Sequence, residues 1–341
     1  MRRWLAAGLI STPLLLCSGT VQPAEPAPTA ALADFASYSV ARVDRTGLTR
    51  ISLEQAGDLL KDYDVVFVGE FHDHIANHLA ELGLLSALHQ RVPMLALSME
   101  QFERDRQSRL DDYLAGKIGE ETLTRGLGWK NYEEAYRPLV EYAKDNHLPV
   151  IAANAPLDIV RCVAREGIAY LSGLPAAKRR LAADDIHTAD GPYKQKFLRF
   201  SGTDAAHGGS GMPDGKAKQR MENNFAAQMT RDDTMADSIA NFLRANPGYH
   251  VLHVAGAFHL ADRLGTVESL RMRSPDLKIA LVMPVQTSAE APMSMPDDAG
   301  QADLAILMRR EPEPYVTDAE RKAAEAAEAK SFQAAQNISC R

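Results

Sequence analysis

This chain has few cysteines, no basic excess and a single N-terminal apolar run of any length. Its 341 residues carry 3 cysteines, Cys17, Cys162 and Cys340, set far apart. That excludes a dense disulfide framework and every paired-cysteine zinc motif, and leaves Cys162 and Cys340 as thiols that are free or paired with each other. Lysine and arginine total 38 against 45 acidic residues, a net charge of -7. An acidic balance argues against nucleic acid as a partner, while leaving room for a local basic patch toward a small anion. No run beyond the N-terminus is long and apolar enough to span a membrane. With 45% hydrophobic residues, the chain can still bury a large core.

The N-terminus reads as an export signal over residues 1–24. Met1-Arg2-Arg3 forms a basic head, residues 4–17 a short apolar stretch, and small and proline-rich residues follow. Leu14-Leu15-Leu16-Cys17 resembles a lipoprotein cleavage box with Leu16 where a small residue belongs, so cleavage near Ala24 stays open beside lipidation of Cys17. Either route takes the chain across the inner membrane to the periplasm. Residues 25–36 read as a Pro/Ala-rich linker.

Residues 37–310 read as one α/β domain. Ser52-Leu53-Glu54-Gln55 has the spacing of a capping box opening a helix. Apolar runs at 65–68, 94–99, 149–153, 251–255, 279–285 and 302–308 alternate with helical patterns. That is the signature of a parallel sheet flanked by helices. Residues 171–246 break the rhythm and read as a smaller, all-helical insertion that includes a glycine-rich loop at 201–211. Residues 311–341 read as a tail helix with little apolar face.

Two strands end alike, in Gly69-Glu70-Phe71-His72 and Gly256-Ala257-Phe258-His259, and a third reaches Glu100. In open α/β sheets, ligands bind beyond the carboxyl ends of the strands. If those strands are neighbours, Glu70, His72, Glu100 and His259 converge there as a carboxylate–imidazole cluster suited to acid–base work or a divalent metal. His78 stands at i+4 from His74, a metal-compatible spacing, and is the better ligand candidate of the two. The metal set read from the sequence is Glu70, His72, His78, Glu100 and His259. Asp73 reads as a helix N-cap, and residues 103–106 as a solvated helix start.

With these motifs in order, the sequence resembles the ChaN-like haem-binding uptake family, within a group that includes the Tiki proteases, TraB proteins and erythromycin esterases. The resemblance rests on Gly69-Glu70-x-His72-Asp73 with His78, on Met99-Glu100-Gln101-Phe102-Glu103-Arg104, and on Ala153-Asn154-Ala155-Pro156. It continues in Ala227-Gln228-x-x-Arg231-Asp232-x-Thr234-Met235-Ala236 and Gly256-Ala257-Phe258-His259. It implies haem as cofactor, a role in iron uptake or storage, and an outer-membrane haem receptor system as partner. It also implies a homodimer in which a tyrosine holds the iron and basic or imidazole groups meet the propionates. Tyr193, flanked by Lys194 and Lys196, is the candidate, with His207 in the same insertion and Tyr132 and Tyr136 as alternatives. No Cys-x-x-Cys-His for covalent haem attachment is present. The hydrolytic members imply a second reading, an enzyme using His72, Glu100 and His259 with Glu70 beside them.

Overall fold

The structure, a computed structural model, describes residues 32–45, 47–205, 215–287, 301–335 and 339–340. The export signal with Cys17, most of the linker, and His207 lie outside the described residues. The eight strands are β1 (Tyr38–Asp44), β2 (Gly47–Ile51), β3 (Val65–Glu70), β4 (Leu95–Glu103), β5 (Val150–Asn154), β6 (His250–Gly256), β7 (Ile279–Thr287) and β8 (Leu304–Arg309). The helices are α1 (Leu53–Leu60), α2 (Ile75–His89), α3 (Gln107–Leu114), α4 (Glu120–Thr124), α5 (Tyr132–Ala135) and α6 (Arg137–Asp145). They continue with α7 (Leu157–Glu166), α8 (Ala176–Arg179), α9 (Pro192–Ala205), α10 (Gly215–Ala245), α11 (Thr266–Arg273) and α12 (Asp318–Ala335).

The strands form one sheet in the order β2-β1-β8-β7-β3-β6-β4-β5. From β8 to β5 the pairing is parallel, so the α/β class with a parallel sheet between helices holds. The hairpin β1–β2, which the sequence pattern did not disclose, adds an antiparallel edge beside β8. All six residues of β3 are buried, as a strand covered by helices on both faces must be. Its side chains alternate between two cores. Val66 and Val68 join Leu84, Leu88 and Leu139 from α2 and α6. Val65 and Phe67 join Met235 and Ile239 from α10 and Leu270 from α11. Each such burial is worth about 1.5–3 kcal/mol.

Helix α1 starts where the spacing says. The Gln55 backbone donates to Ser52 Oγ at 3.2 Å, and the Ser52 backbone donates to Gln55 Oε1 at 2.9 Å. Long α10 has two jobs. Its later part lies on the sheet, while Ala226 and Ala227 pack with Ile159 and Val163 of α7 in a satellite core. The helices from α7 to α10 are therefore joined to the sheet layer by a shared helix.

Residues 103–106 are only in part a solvated helix start: a helical turn at 104–106 leads into α3 with Asp105 exposed, but β4 runs on to Glu103 and Arg104 is turned inward. Its guanidinium reaches Asp237 at 2.6 Å, Ser238 Oγ at 2.8 Å and the Thr234 carbonyl at 2.9 Å, pinning the end of β4 to α10. Asp73 is not the N-cap of α2, because His74 holds that position. Cys162 and Cys340 form a disulfide that ties the C-terminal tail to α7. Spacing alone could not choose between free and paired thiols.

Cys162→Ser is expected to remove roughly 2–4 kcal/mol of stability, the usual worth of a bridge closing a long loop. Urea denaturation of the variant, compared with the oxidised parent, measures it; an unchanged midpoint would show that the tail adds no constraint.

Candidate functional site

Beyond the carboxyl ends of β3, β6 and β4, two buried carboxylates each hold an imidazole. Glu70, the last residue of β3, takes three donors on one oxygen. Its Oε1 lies 2.6 Å from Gln101 Nε2, 2.7 Å from His72 Nδ1 and 3.1 Å from the Tyr136 hydroxyl. An ionised carboxylate only accepts, so His72 carries its proton on Nδ1 and leaves Nε2 unprotonated in the neutral ring. Burial disfavours charge on His72, but Glu70 outweighs it and raises its pKa. The His72 side chain is 39% exposed and is the accessible member of the group. Trp129 stands beside it, ring centroids 4.9 Å apart. Asn131 fixes the turn by donating to the His72 carbonyl at 2.7 Å.

Gly256 makes this approach possible. A Cβ there would lie 2.8 Å from His72 Nε2 and 2.9 Å from Cε1. The glycine of the second Gly-x-x-His motif thus serves the histidine of the first.

The second carboxylate is Glu100, midway along β4. Its Oε2 accepts the Gly256 backbone N–H at 2.7 Å, and its Oε1 faces Arg231 at 3.2 Å and His259 Nε2 at 3.5 Å. His259 is oriented from behind by Asp232, whose Oδ1 lies 2.7 Å from Nδ1. Asp232 is fully buried and also accepts the hydroxyls of Thr266 at 2.7 Å and Tyr193 at 2.8 Å. Burial opposes charge on His259, yet Asp232 and Glu100 outweigh it and push its pKa up to about 10. Burial likewise works against ionised Glu100, yet His259 and Arg231 hold its pKa well below the carboxylate range. Proton transfer near neutral pH needs a group poised there. These two instead form a fixed charge pair.

His78, on the first turn of α2, faces Glu81 at 3.2 Å and donates from Nε2 to the His72 carbonyl at 2.9 Å. Burial opposes its protonation, but Glu81 and Glu70 push its pKa up to about 9. Among the described residues, the side chains whose donor atoms gather within 4.8 Å as a metal set would require are Glu70, His78 and Glu81. Glu70 and His78 belong to the sequence-derived metal set. His72, Glu100 and His259 of that set do not join the gathering, and Glu81 enters unforeseen. Its signal was the i+3 spacing from His78 on a helix with no other acidic residue.

The three tyrosines named from sequence, Tyr132, Tyr136 and Tyr193, are all buried. The hydroxyl of Tyr136 donates to Glu70 and that of Tyr193 to Asp232. Lys194 is bound to Asp190 at 2.7 Å and Glu222 at 2.6 Å. Lys196 reaches the Ala261 carbonyl at 3.1 Å and Asp262 at 3.3 Å, with its ammonium 5.2 Å from the Phe258 ring. Phe258 in turn packs on Phe200, which is 64% exposed. His74 is buried, its Nε2 on the Arg309 carbonyl at 2.8 Å.

The family model for haem-binding uptake proteins, ChaN, of the Tiki superfamily matches residues 58–270. The chain belongs to this family. The matched span holds both Gly-x-x-His motifs and every member of the two carboxylate–imidazole pairs. A structure described as cofacial haem binding to ChaN of Campylobacter jejuni superposes with a TM-score of 0.56 at 16% identity, over 80% of this chain and 98% of that one. That likeness is one of fold. A variant of the erythromycin esterase EreC in its open conformation gives a TM-score of 0.42 at 14% identity, over 85% of this chain and 87% of that one. Protein RETICULATA-RELATED 5, chloroplastic, of Arabidopsis thaliana is 33% identical over 93 residues, 26% of this chain. The match spans 12% of that plant protein's length.

The charge pair has a pH signature. A group raised from 6.5 to about 10, as His259 is, contributes fully below pH 6.5 and loses its contribution as pH climbs toward 10. Glu100, lowered, contributes above about pH 4.5 and loses its part as acid protonates it. Urea midpoints are therefore expected to be highest between about pH 5 and 6.5 and to fall through pH 7–10. His259→Gln should reduce that alkaline slope, leaving the share due to His78. An equally steep slope in the variant would disprove the assignment.

Proposed function

We propose that this protein binds haem at the carboxyl edge of its sheet and serves haem uptake or storage in the periplasm. Family membership supports haem as the ligand class. The observation that carries the location is the accessible His72 imidazole, whose Nδ1 is held by buried Glu70, so that in the neutral ring Nε2 is the nitrogen left for a ligand. A carboxylate behind a histidine fixes the tautomer and raises the basicity of the other nitrogen, as at many metal-ligating histidines.

Haem, when bound, supplies an iron with axial positions and two anionic propionates. His72 would offer Nε2 to the iron. Phe258 and Phe200 would offer an apolar face, and Lys196 beside them a positive charge for a propionate. Tyr193 suits the role less well, because taking its hydroxyl away would deprive buried Asp232 of a donor. A second copy of the chain and an outer-membrane haem receptor are the partners this reading expects. The Cys162–Cys340 disulfide supports an oxidising compartment, and Cys17 is the proposed anchor to the outer membrane.

Haemin titration followed by visible absorption tests the proposal. The parent should give a saturable Soret shift, and Tyr193→Phe should match it. His72→Ala should weaken binding at least about tenfold, or roughly 1.4 kcal/mol. Loss in Tyr193→Phe with retention in His72→Ala would transfer the iron to the tyrosine, and no saturable shift in the parent would end the haem reading.

One observation favours a second reading. The Asp232–His259 pair has the form of an imidazole with its orienting carboxylate, and the raised pKa of the ring makes it a proton donor. A hydrolase built on it, with His72 and Glu100 opposite, should turn over ester or amide probes in the parent and lose that turnover in His259→Ala. Equal rates in the two would remove it.

A further inference from the structure

Behind His72 lies a set of groups of which the haem reading uses one oxygen of Glu70 and leaves the rest without a role. Glu70 and Glu81 each have one oxygen held by ordinary donors and one turned toward the other residue. On Glu70, Oε1 takes Gln101, His72 and Tyr136, while Oε2 is buried and receives no hydrogen bond. On Glu81, Oε1 takes the Asn77 amide at 2.9 Å, while Oε2 faces His78 Nδ1 at 3.2 Å. His78 Nδ1 also stands 3.4 Å from Glu70 Oε2. Neither glutamate side chain is exposed to solvent.

The ring of His78 is the decisive element. Its Nε2 faces a carbonyl oxygen, which can only accept, so Nε2 carries a proton. Without an ion, a proton on Nδ1 fills the space between ring and carboxylates; a dication that displaces that proton would meet the Nδ1 lone pair and two carboxylate oxygens together. This is the arrangement of a metal-bound histidine: one nitrogen on the ion, the other donating to a backbone carbonyl. The 3.2 and 3.4 Å separations suit neighbouring ligands on an ion with bonds of about 2.1 Å. Two carboxylates would balance a dication, so the burial would carry no net charge.

We propose that Glu70 Oε2, His78 Nδ1 and Glu81 Oε2 form a buried site for a first-row divalent cation, Zn2+ or Mn2+ in class, directly behind the exposed His72. One imidazole and two carboxylates suit these ions and disfavour soft Cu(I). Through Glu70 the ion shares a carboxylate with His72, so its presence sets how strongly that imidazole is held. The site shares Glu70 with the haem proposal but no ligand, and it stands apart from the Glu100–His259–Asp232 group.

Metal analysis of the purified full chain decides it. The parent, after dialysis into metal-free buffer, should retain about one divalent ion per chain, or after chelation should bind Zn2+ or Mn2+ with about 1:1 stoichiometry by calorimetry. The added ion should raise the melting temperature of the parent and leave that of Glu81→Gln unmoved, while Glu100→Gln and His259→Ala still respond. Circular dichroism checks that the variants fold; should Glu81→Gln fail to fold, the parent stoichiometry and the two distal variants carry the test. No retained ion and no binding of either metal by the parent would overturn the site. So would equal binding in a folded Glu81→Gln, or loss confined to Glu100→Gln and His259→Ala. Haemin binding is scored separately, so either proposal can fail alone.

Discussion

The structure depends on satisfying a carboxyl group buried inside the protein at the end of β3. Burying an unpaired charge costs several kcal/mol even after relaxation, so Glu70 must be surrounded by donors. Gln101 from β4, His72 from the turn and Tyr136 beside α6 meet that need on one oxygen. These donors come from three separated parts of the chain. They can converge only when β3, β6 and β4 lie side by side and the helix after β3 turns back over the sheet. The charge thereby ties the register of the strands to the shape of the site.

Glu100 repeats the solution with different parts. A backbone N–H from β6, a guanidinium from α10 and an imidazole after β6 surround it. Asp232 then holds that imidazole from behind with help from Thr266 and Tyr193. The two halves meet at Gly256, which donates its N–H to Glu100 and gives His72 room for its ring. What reaches solvent from all this is mainly one imidazole beside Trp129. The wall on which a flat ligand could lie comes from elsewhere, from Phe258 and Phe200 with Lys196.

Much of this was legible in the sequence, for a physical reason. Strands buried on both faces need largely apolar runs, and these stand out at Val65 to Val68 and, broken only by His253, at Val251 to Ala255. Ligand-facing polar residues must follow them directly, so the matched Gly-x-x-His endings were visible as a pair. The antiparallel β1–β2 edge was not, because short edge strands carry weak alternation. Nor were the partners of the ionised groups. Glu81 sits on a helix whose buried face is apolar beyond its first turn, and Asp232 and Tyr193 come from segments far along the chain that only packing brings to His259. Arg104 looked like a surface residue because nothing in its neighbours tells that Asp237, on another helix, will receive it. Tyr193 was read as a ligand from flanking lysines, whereas its hydroxyl faces the buried aspartate.

The strand order carries a cost that the finished structure conceals. β3 is paired on one side with β6 and on the other with β7, where Val65 meets Val251 and Ile279. During synthesis, this fully buried strand therefore emerges long before either neighbour exists. Until then its two open edges can pair with any other extended chain. Sheets assembled from such distant contacts form slowly and pass through aggregation-prone states. A protein wired this way gains from being kept unfolded until its whole length is available.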